Sequence, residues 1–440
     1  MGAVSLIIKS ALAAAAADVY ILAVTYTSGA ARVISFIAAA VFVLALCIHP
    51  CGTKEGGRLG MLRRGYFGLG IFVIALTAAI AVNILLGVTG AGWKTVLINS
   101  IIGFFCVALI FTASIVRVYT SSVQLGIKWR ALGLFLAYIP PLNIIMLGKI
   151  IKLCREEYIF ECDRAELDRS RKDKQICATK YPLLMVHGVF FRDVKLLNYW
   201  GRIPKALEAN GAKIFYGSQQ SADSVAGCAA ELKARIDEIV EREDCEKVNI
   251  IAHSKGGLDS RYAVALLGAS DKVASLTTIN TPHRGCQFAD YLLSKAPEGF
   301  KNTVANGYNA TLRKLGDKEP DFISAVTDLT ASACEELNKI CEDAPNVYYQ
   351  SVGSRSVSAM GGKFPMNLSY HLVKFFDGPN DGLVSVESMK WGESFRFLEP
   401  AGKRGITHAD VIDLNRENIK GFDVREFYVG LVSDLREKGF

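Results

Sequence analysis

A serine flanked by small residues is the strongest chemical signal in the chain. The apolar stretch Val248–Ala252 is typical of a buried strand, and it runs into His253–Gly257, after which a helical pattern covers 257–267. Strand, tight turn and helix form the context of a nucleophile elbow, so Ser254 is the predicted nucleophile. Ala252 stands where glycine is usual, and its methyl group is small enough. The alternative is a serine that only caps a helix.

A serine hydroxyl needs a general base, because it is unreactive at neutral pH. In a fold with this elbow, the chain order is serine, acid, histidine. His408 is the last of six histidines and follows the final predicted strand, so it is the predicted base; a histidine on a surface loop is the alternative. Asp381, in the turn 380–382, is the predicted acid. Asp377 is its competitor, and either aspartate could instead serve a turn or a helix cap.

The developing oxyanion needs two preorganised N–H donors. The backbone of Lys255, directly after the nucleophile, is the first predicted donor. The second is the backbone of Val189, since His187 and Gly188 follow an early buried strand and would bring their loop close to the serine. Gly256 would let the helix approach that strand. The alternative for this loop is a plain turn.

From residue 180 onward, short apolar runs alternate with helical patterns, which predicts a parallel sheet with crossover helices. The predicted strands are Leu183–Val186, Lys213–Tyr216, Val248–Ala252, Val273–Ile279, Val347–Val352 and Phe395–Leu398. The predicted helices are 219–241, 257–267, 322–341 and 423–438.

The first 150 residues have a different composition. They hold 11 basic and 2 acidic side chains, within a chain of net charge +7. Four apolar runs are long enough to cross a bilayer, and a fifth is marginal. Alternatives are a signal peptide for the first run, which carries Lys9 and Asp18, and a buried soluble core for the whole region. The runs are 3–25, 32–49, 66–88, 95–116 and, marginally, 131–148.

The basic charge flanks these runs, which indicates a membrane rather than a nucleic-acid partner. The basic loops 50–65 and 117–130 lie on one side, which should be cytoplasmic. If 131–148 spans, the rest of the chain is outside; if it turns back at Pro140-Pro141, the rest is inside. Eleven cysteines without metal-ligand spacing suit a reducing compartment. We therefore expect an integral protein of a bacterial membrane, with a slight preference for a cytoplasmic C-terminal domain.

Three parts are expected: transmembrane helices over 1–150, a juxtamembrane linker over 151–178 and an α/β domain over 179–440. The last part resembles the bacterial triacylglycerol lipases, which are α/β-hydrolases. The resemblance rests on Tyr181-Pro182, Val186-His187-Gly188, Tyr199-Trp200, Ile203-Pro204, 247–257, Arg261-Tyr262, 281–285, 380–384 and 407–410. It implies hydrolysis of carboxylic esters of lipids, with Ser254, Asp381 and His408 as the triad.

Besides Ala252 and the apolar first 150 residues, which are not part of the family pattern, the sequence departs from that family at two places. Glu387 stands where the family often has a cysteine, so the family's disulfide is absent. Many members bind calcium through an aspartate two residues after the catalytic histidine, and Asp410 matches that position. A second aspartate should lie about twenty residues before the acid, yet 354–374 contains neither Asp nor Glu. Calcium prefers several carboxylate and carbonyl oxygens, so no cofactor is expected. Asp410 is the one residue that favours a calcium site.

The segment 296–320 is a predicted helical lid over a lipid-ester site. Its apolar residues recur at helical spacing, although an ordinary helix packed on the core would show the same pattern. They are Phe300, Val304, Tyr308, Leu312 and Leu315. Three other functions stay open at this point: an acyltransferase on the same fold, a non-catalytic membrane protein with a decayed hydrolase domain, and a channel or transporter. The oligomeric state is not indicated by the sequence.

Overall fold

The structure is a computed structural model that describes residues 2–189, 198–314, 317–363, 366–399 and 402–440. The chain divides into two compact units, Met1–Leu167 and Asp168–Phe440. Each unit is described by itself below.

The first unit consists of helices in its described residues. Their bounds are α1 Gly2–Ala17, α2 Val19–Tyr26, α3 Gly29–Ile48, α4 Gly57–Val88, α5 Trp93–Ser121, α6 Gly126–Phe135 and α7 Leu142–Arg171. Helices α3, α4 and α5 are long and apolar enough to cross a membrane, with mean hydropathies of 2.5, 2.6 and 2.4 over their most apolar windows. They match three of the predicted runs.

The first predicted run is a bent pair of helices rather than one straight helix. Helices α1 and α2 meet at a 69° bend, and they make a fourth crossing if the pair is counted as one span. Asp18 lies at the bend, where its carboxylate accepts a hydrogen bond from Asn99 Nδ2 at 2.8 Å. Lys9 donates to the Pro50 carbonyl at 2.8 Å. Lys9 and Asp18, the two charged residues of this otherwise apolar run, thus each form a hydrogen bond with a polar group.

The marginal fifth run does not form a continuous helix. Helix α6 ends at Phe135, a short 3₁₀ turn covers Leu136–Tyr138, and α7 begins at Leu142 after Pro140 and Pro141. Proline interrupts a helix because it lacks the N–H donor and its ring clashes with the preceding turn. Helix α7 continues to Arg171, so most of the predicted 151–178 linker is helical.

The second unit contains a six-stranded parallel sheet. The strands are β1 Leu183–Val186, β2 Ile214–Tyr216, β3 Val248–His253, β4 Val273–Ile279, β5 Tyr348–Ser354 and β6 Ser394–Leu398. Their order is β2-β1-β3-β4-β5-β6, so the strand before Ser254 lies between β1 and β4. All six predicted strands are present. The unit has the α/β-hydrolase fold, as predicted.

Helices cover both faces of this sheet. They are α8 Ile203–Ala209, α9 Val225–Arg242, α10 Lys255–Leu266, α11 Gln287–Lys295, α12 Glu298–Lys314, α13 Phe322–Thr327, α14 Ala331–Ile340, α15 Met366–Asp377 and α16 Val424–Glu437. On one face Trp200, Ile203 and Tyr428 pack in the core, and on the other Leu232 and Ile236 do so. The sheet is therefore buried on both sides, which explains its continuous apolar strands.

Sequence reasoning missed some of these helices and joined two others. The helices α8, α11 and α15 were not among those predicted. The predicted helix 322–341 is two helices, because the chain turns at Asp328–Thr330 and Thr330 caps α14 by accepting from Ala333 N.

Candidate active site

Ser254 lies in a strained turn at the carboxyl end of β3. Its backbone has φ 55° and ψ −132°, a conformation that side chains other than glycine rarely adopt. The turn is held by a hydrogen bond from Ser254 N to the Ile279 carbonyl at 3.0 Å. A Cβ atom on Gly256 would lie 2.4 Å from the His187 carbonyl oxygen. The close passage of helix α10 over β1 therefore requires glycine at that position, and the strained turn presents the serine at the sheet edge.

The predicted acid and base are hydrogen-bonded to each other. His408 Nδ1 lies 2.7 Å from Asp381 Oδ2, and both residues are buried. Asp381 Oδ1 accepts from the backbone N–H groups of Leu383 and Val384 at 2.9 and 2.8 Å. These donors fix the carboxylate, and the carboxylate in turn fixes the orientation of the imidazole.

Asp377, the competing acid, has a different position. Its carboxylate accepts from the backbone N–H groups of Gln287 and Phe288, at 3.0 and 3.3 Å. It therefore caps the first turn of α11, where orphan N–H groups favour an anion. That role explains a carboxylate at this position without any part in catalysis.

His408 lies beside His253, the residue that precedes Ser254. The rings of His253 and His408 have centroids 4.4 Å apart. Burial lowers the pKa of His253 well below 6.5, and the neighbouring His408 lowers it further. His253 thus stays neutral at physiological pH.

The loop after β1 lies against the nucleophile. A Cβ atom on Gly188 would be 2.7 Å from the Cβ of Ser254, so only glycine permits this approach. Gly188 N donates to the hydroxyl of Tyr199 at 2.9 Å, and that hydroxyl lies 2.6 Å from His253 Nδ1. Val189 follows directly and is partly buried. The loop that carries one predicted oxyanion donor is therefore held in contact with the serine turn.

Lys255 is the first residue of α10, so its N–H has no acceptor within the helix. This geometry suits the other predicted oxyanion donor. The Lys255 side chain is buried, and its Nζ lies 2.7 Å from Asp259 Oδ1. Sequence reasoning used only the backbone of this residue and missed the ion pair.

Asn280 is a second residue that sequence reasoning missed. Its Nδ2 donates to Asp381 Oδ2 at 2.6 Å and to Ser354 Oγ at 2.7 Å. It follows β4 directly, as Ser254 follows β3. The sequence could have indicated Asn280, because it is a polar residue at the carboxyl end of β4, the strand next to β3.

Two other histidines near the sheet are buried and engaged in polar contacts. His187 Nε2 lies 3.0 Å from the Gln219 carbonyl oxygen. His283 Nε2 lies 2.9 Å from Thr278 Oγ1, and its ring stacks on Trp391 at 5.2 Å. Burial lowers the pKa of His283 well below 6.5, with further lowering from Arg261 and Arg284. Burial and these contacts give both histidines a structural role in the core.

The carboxylate of Asp410, the residue that favours calcium in the sequence, is engaged by protein donors. Its Oδ1 accepts from Arg404 Nη2 at 3.1 Å, and its Oδ2 accepts from Thr407 N at 2.9 Å. Arg404 also contacts Glu417 at 2.7 Å. A guanidinium therefore supplies the positive charge between these carboxylates. Among the described residues, no group of three or more His, Cys, Asp or Glu side chains is placed to hold a metal ion.

The predicted lid segment contains helix α12. Its Leu312 is buried beside Ala222 and Ala325, with Val189 packed against the same cluster. Tyr308 stacks on Phe322 with centroids 4.7 Å apart. The side chain of Phe300 and the whole of Leu315 lie outside the described residues. Helix α12 thus packs next to the proposed oxyanion loop, while its movement stays a prediction.

An exposed apolar surface adjoins the loop that carries Asp381. It comprises seven of the ten large apolar side chains that the described part of this unit exposes. Helix α15 joins this surface to α11 through the rings of Tyr291 and Phe376, 5.0 Å apart. Helix α15 also contacts the acid loop, since Asn380 Nδ2 donates to the Tyr370 carbonyl at 3.3 Å. The seven residues of this apolar surface are Tyr291, Leu292, Val357, Met360, Leu368, Leu372 and Phe375.

Comparison with known proteins gives consistent matches. A family model described as "Putative serine esterase (DUF676)" matches residues 209–316. A triacylglycerol lipase of Pseudarthrobacter phenanthrenivorans is 34% identical over 174 residues, which are 37% of this chain and 54% of that protein. Triacylglycerol lipase 2 of Saccharomyces cerevisiae is 30% identical over 264 residues, which cover 56% of this chain and 75% of that protein.

Solved structures match the same part of the chain. The mature form of the Bacillus licheniformis lipase BlEst2 aligns with a TM-score of 0.43 and 22% identity, over 58% of this chain and 92% of that one. The chain spans about half the length of the first two curated relatives, 54% for the Pseudarthrobacter protein and 48% for a triacylglycerol lipase of Burkholderia plantarii.

Proposed function

Since the chain belongs to the triacylglycerol lipase family, we propose that it is a membrane-anchored serine hydrolase that cleaves carboxylic esters of lipids. The observation that carries this proposal is the hydrogen-bonded pair of Asp381 and His408, whose imidazole lies beside the strained turn of Ser254. Structural roles alone do not account for a buried acid–histidine pair next to a strained serine.

The proposed reaction passes through an acyl-enzyme. Ser254 Oγ attacks the acyl carbonyl while His408 takes its proton, and the N–H groups of Lys255 and Val189 stabilise the oxyanion. His408 then gives the proton to the leaving alcohol oxygen, and the C–O bond to the alcohol breaks. Water, deprotonated by His408, attacks the acyl-enzyme and releases the fatty acid and Ser254. Asp381 holds the imidazole and stabilises its protonated form.

A lipid substrate is supported by two features of the chain. The first unit has three helices, or four with the bent pair, that are long and apolar enough to cross a membrane. The second unit exposes its apolar surface beside the acid loop, with Phe375 82% exposed and Met360 95% exposed. Large contiguous apolar surfaces on a protein mark places of contact with partners or membranes. This apolar surface therefore contacts the surface of a lipid bilayer in the proposed function.

No metal has a part in the proposed mechanism, because Arg404 and Thr407 already engage the carboxylate of Asp410. Chelation by EDTA should therefore leave the hydrolysis rate unchanged. A rate that calcium restores after chelation would contradict this part of the proposal.

The test is hydrolysis of p-nitrophenyl esters of short and long acyl chains by the purified full-length protein in detergent. Ser254→Ala should lose nearly all activity on every ester. Ser294→Ala, which removes an exposed hydroxyl bonded to the Tyr291 carbonyl, is the matched control and should keep full activity. Preference for long chains is expected for a lipid hydrolase. Equal activity in the wild type and in Ser254→Ala would refute the proposed function.

A further inference from the structure

The side chain of Lys255 is one of the most deeply buried charged groups near the proposed nucleophile. Lys255 is 1% exposed and its partner Asp259 2% exposed. Besides the 2.7 Å contact with Asp259, Lys255 Nζ donates to the Ser224 carbonyl at 3.4 Å. The ammonium group therefore connects the first turn of α10 with Ser224, the residue that caps α9.

This position is unfavourable for a cation if stability alone is considered. The amino-terminal end of a helix carries partial positive charge and stabilises anions rather than cations. Lys255 begins α10, and its ammonium group also reaches the residue before α9. In addition, a buried ion pair is often no more stabilising than well-packed apolar residues of similar volume. Neither the helix ends nor the burial explains why a lysine lies here.

The surroundings keep the lysine charged. Burial lowers the pKa of Lys255, but the nearby Asp259 and Cys228 outweigh that effect and raise it above 10.5. The other acidic groups that face this cluster are Asp223 and Asp328, which accept hydrogen bonds from Ser224 N and Val225 N. The ammonium group and the Asp259 carboxylate thus form a buried ion pair whose attraction is stronger in a dry site than in solvent.

We propose that the Lys255 side chain is a positioning residue for the oxyanion hole, held by Asp259 and Ser224. The anchored side chain fixes its own backbone N–H at the start of α10, where the oxyanion forms. This inference rests on the proposed function, because it assigns the Lys255 N–H as an oxyanion donor. The buried ion pair thus holds the donor in place, even though it adds little to stability.

The test removes the ion pair without leaving a buried unpaired charge. The double variant Lys255→Met/Asp259→Leu replaces both groups by apolar side chains of similar length. Its thermal midpoint should equal or exceed that of the wild type. Its kcat on p-nitrophenyl butyrate should fall by about tenfold or more, since oxyanion stabilisation acts in the transition state, while KM should change by less than about threefold.

A matched control lies on the neighbouring helix. Lys233 and Asp237 of α9 form the same i,i+4 pair, but both are partly exposed. Lys233→Met/Asp237→Leu should leave kcat unchanged. If the buried double variant fails to fold, Lys255→Gln/Asp259→Asn removes both charges with polar side chains of similar length, and its kcat should also fall.

The possible results separate this inference from the proposed function. A folded Lys255→Met/Asp259→Leu or Lys255→Gln/Asp259→Asn variant with wild-type kcat would overturn the inference while leaving a Ser254-dependent hydrolase intact. A wild type whose activity does not depend on Ser254 would overturn the proposed function itself. A fall in kcat with unchanged KM and unchanged thermal midpoint would support the inference.

Discussion

At the scale of single residues, the environment of each carboxylate distinguishes its role. Asp381 and Asp377 lie four positions apart and have the same chemistry. Asp381 accepts from His408 and Asn280 within the sheet edge, whereas Asp377 accepts from the amino-terminal turn of α11. The contacts, rather than the sequence spacing, assign one to the imidazole and the other to a helix cap.

This distinction predicts opposite results for two similar variants. Asp381→Asn should lower kcat by about 10³- to 10⁴-fold, because an amide that donates to His408 would favour the wrong tautomer. Asp377→Asn should keep kcat within a few-fold and cost about 1 kcal/mol of stability from the weakened cap. Steady-state kinetics and thermal unfolding of the two variants provide the check. The reverse ranking of the two kcat values would refute the assignment of the acid.

The buried histidines predict acid sensitivity of the fold. His283 has its pKa lowered below 6.5, so it is neutral when folded but takes up a proton when unfolded at low pH. Its contribution to stability is present above about pH 6.5 and is lost as the pH falls, by up to about 1.4 kcal/mol per pH unit. His283→Gln should lose less stability than the wild type on acidification. Thermal midpoints from about pH 7.5 to 5 measure this, with exposed His371→Gln as the control. Equal losses in wild type and His283→Gln would contradict it.

The sequence predicted the residues that occur in local motifs and missed those that act across the chain. Ser254, Asp381 and His408 each lie in a recognisable turn or loop, and their roles remain predictions that the geometry supports. Tyr199 was noted only as part of the resemblance, and Asn280 was not noted at all; they reach their partners over 54 and 101 residues of sequence. Such contacts depend on the order of strands in the sheet, which residue patterns alone do not determine.

At the scale of elements, strands were predicted more completely than helices. The strands are buried on both faces, so each is a continuous apolar run with clear ends. Helix α15 was missed although its pattern is amphipathic. Tyr370 and Val373 are buried, while Leu368, Leu372 and Phe375 are exposed.

The exposed face of α15 gives a prediction about substrate access. Leu372→Ser/Phe375→Ser should lower the hydrolysis of long-chain esters in bilayers, because the apolar surface would contact lipid less well. Activity on a soluble short-chain ester should be unchanged, since Asp381 and His408 are untouched. The comparison uses full-length protein in proteoliposomes and in detergent. Ile340→Ser, an exposed apolar residue at the end of α14, is the control. Equal loss on both substrates would contradict a role in lipid contact.

At the scale of the whole molecule, the side of the membrane on which the second unit lies depends on the number of membrane crossings in the first unit. We infer four crossings, from the bent pair α1–α2 and from α3, α4 and α5. The basic loops 50–65 and 117–130 are then on the same side as α7, and the excess of Lys and Arg makes that side cytoplasmic.

Reporter fusions after Phe440 test this orientation. Green fluorescent protein should fluoresce when fused there, and alkaline phosphatase should be inactive. If the phosphatase fusion is active and the green fluorescent protein fusion does not fluoresce, the second unit lies outside, and the four-crossing topology is refuted.

The central claim is that Ser254 is the nucleophile of an ester hydrolase, and covalent labelling tests it most directly. Full-length protein in detergent is treated with a fluorophosphonate and digested, and the peptide that contains Ser254 is analysed by mass spectrometry. We expect one adduct on Ser254 that forms in the wild type, is absent in Ser254→Ala and forms much more slowly in His408→Ala. An unlabelled Ser254 in a folded wild-type protein, or labelling that persists at another residue in Ser254→Ala, would contradict the claim.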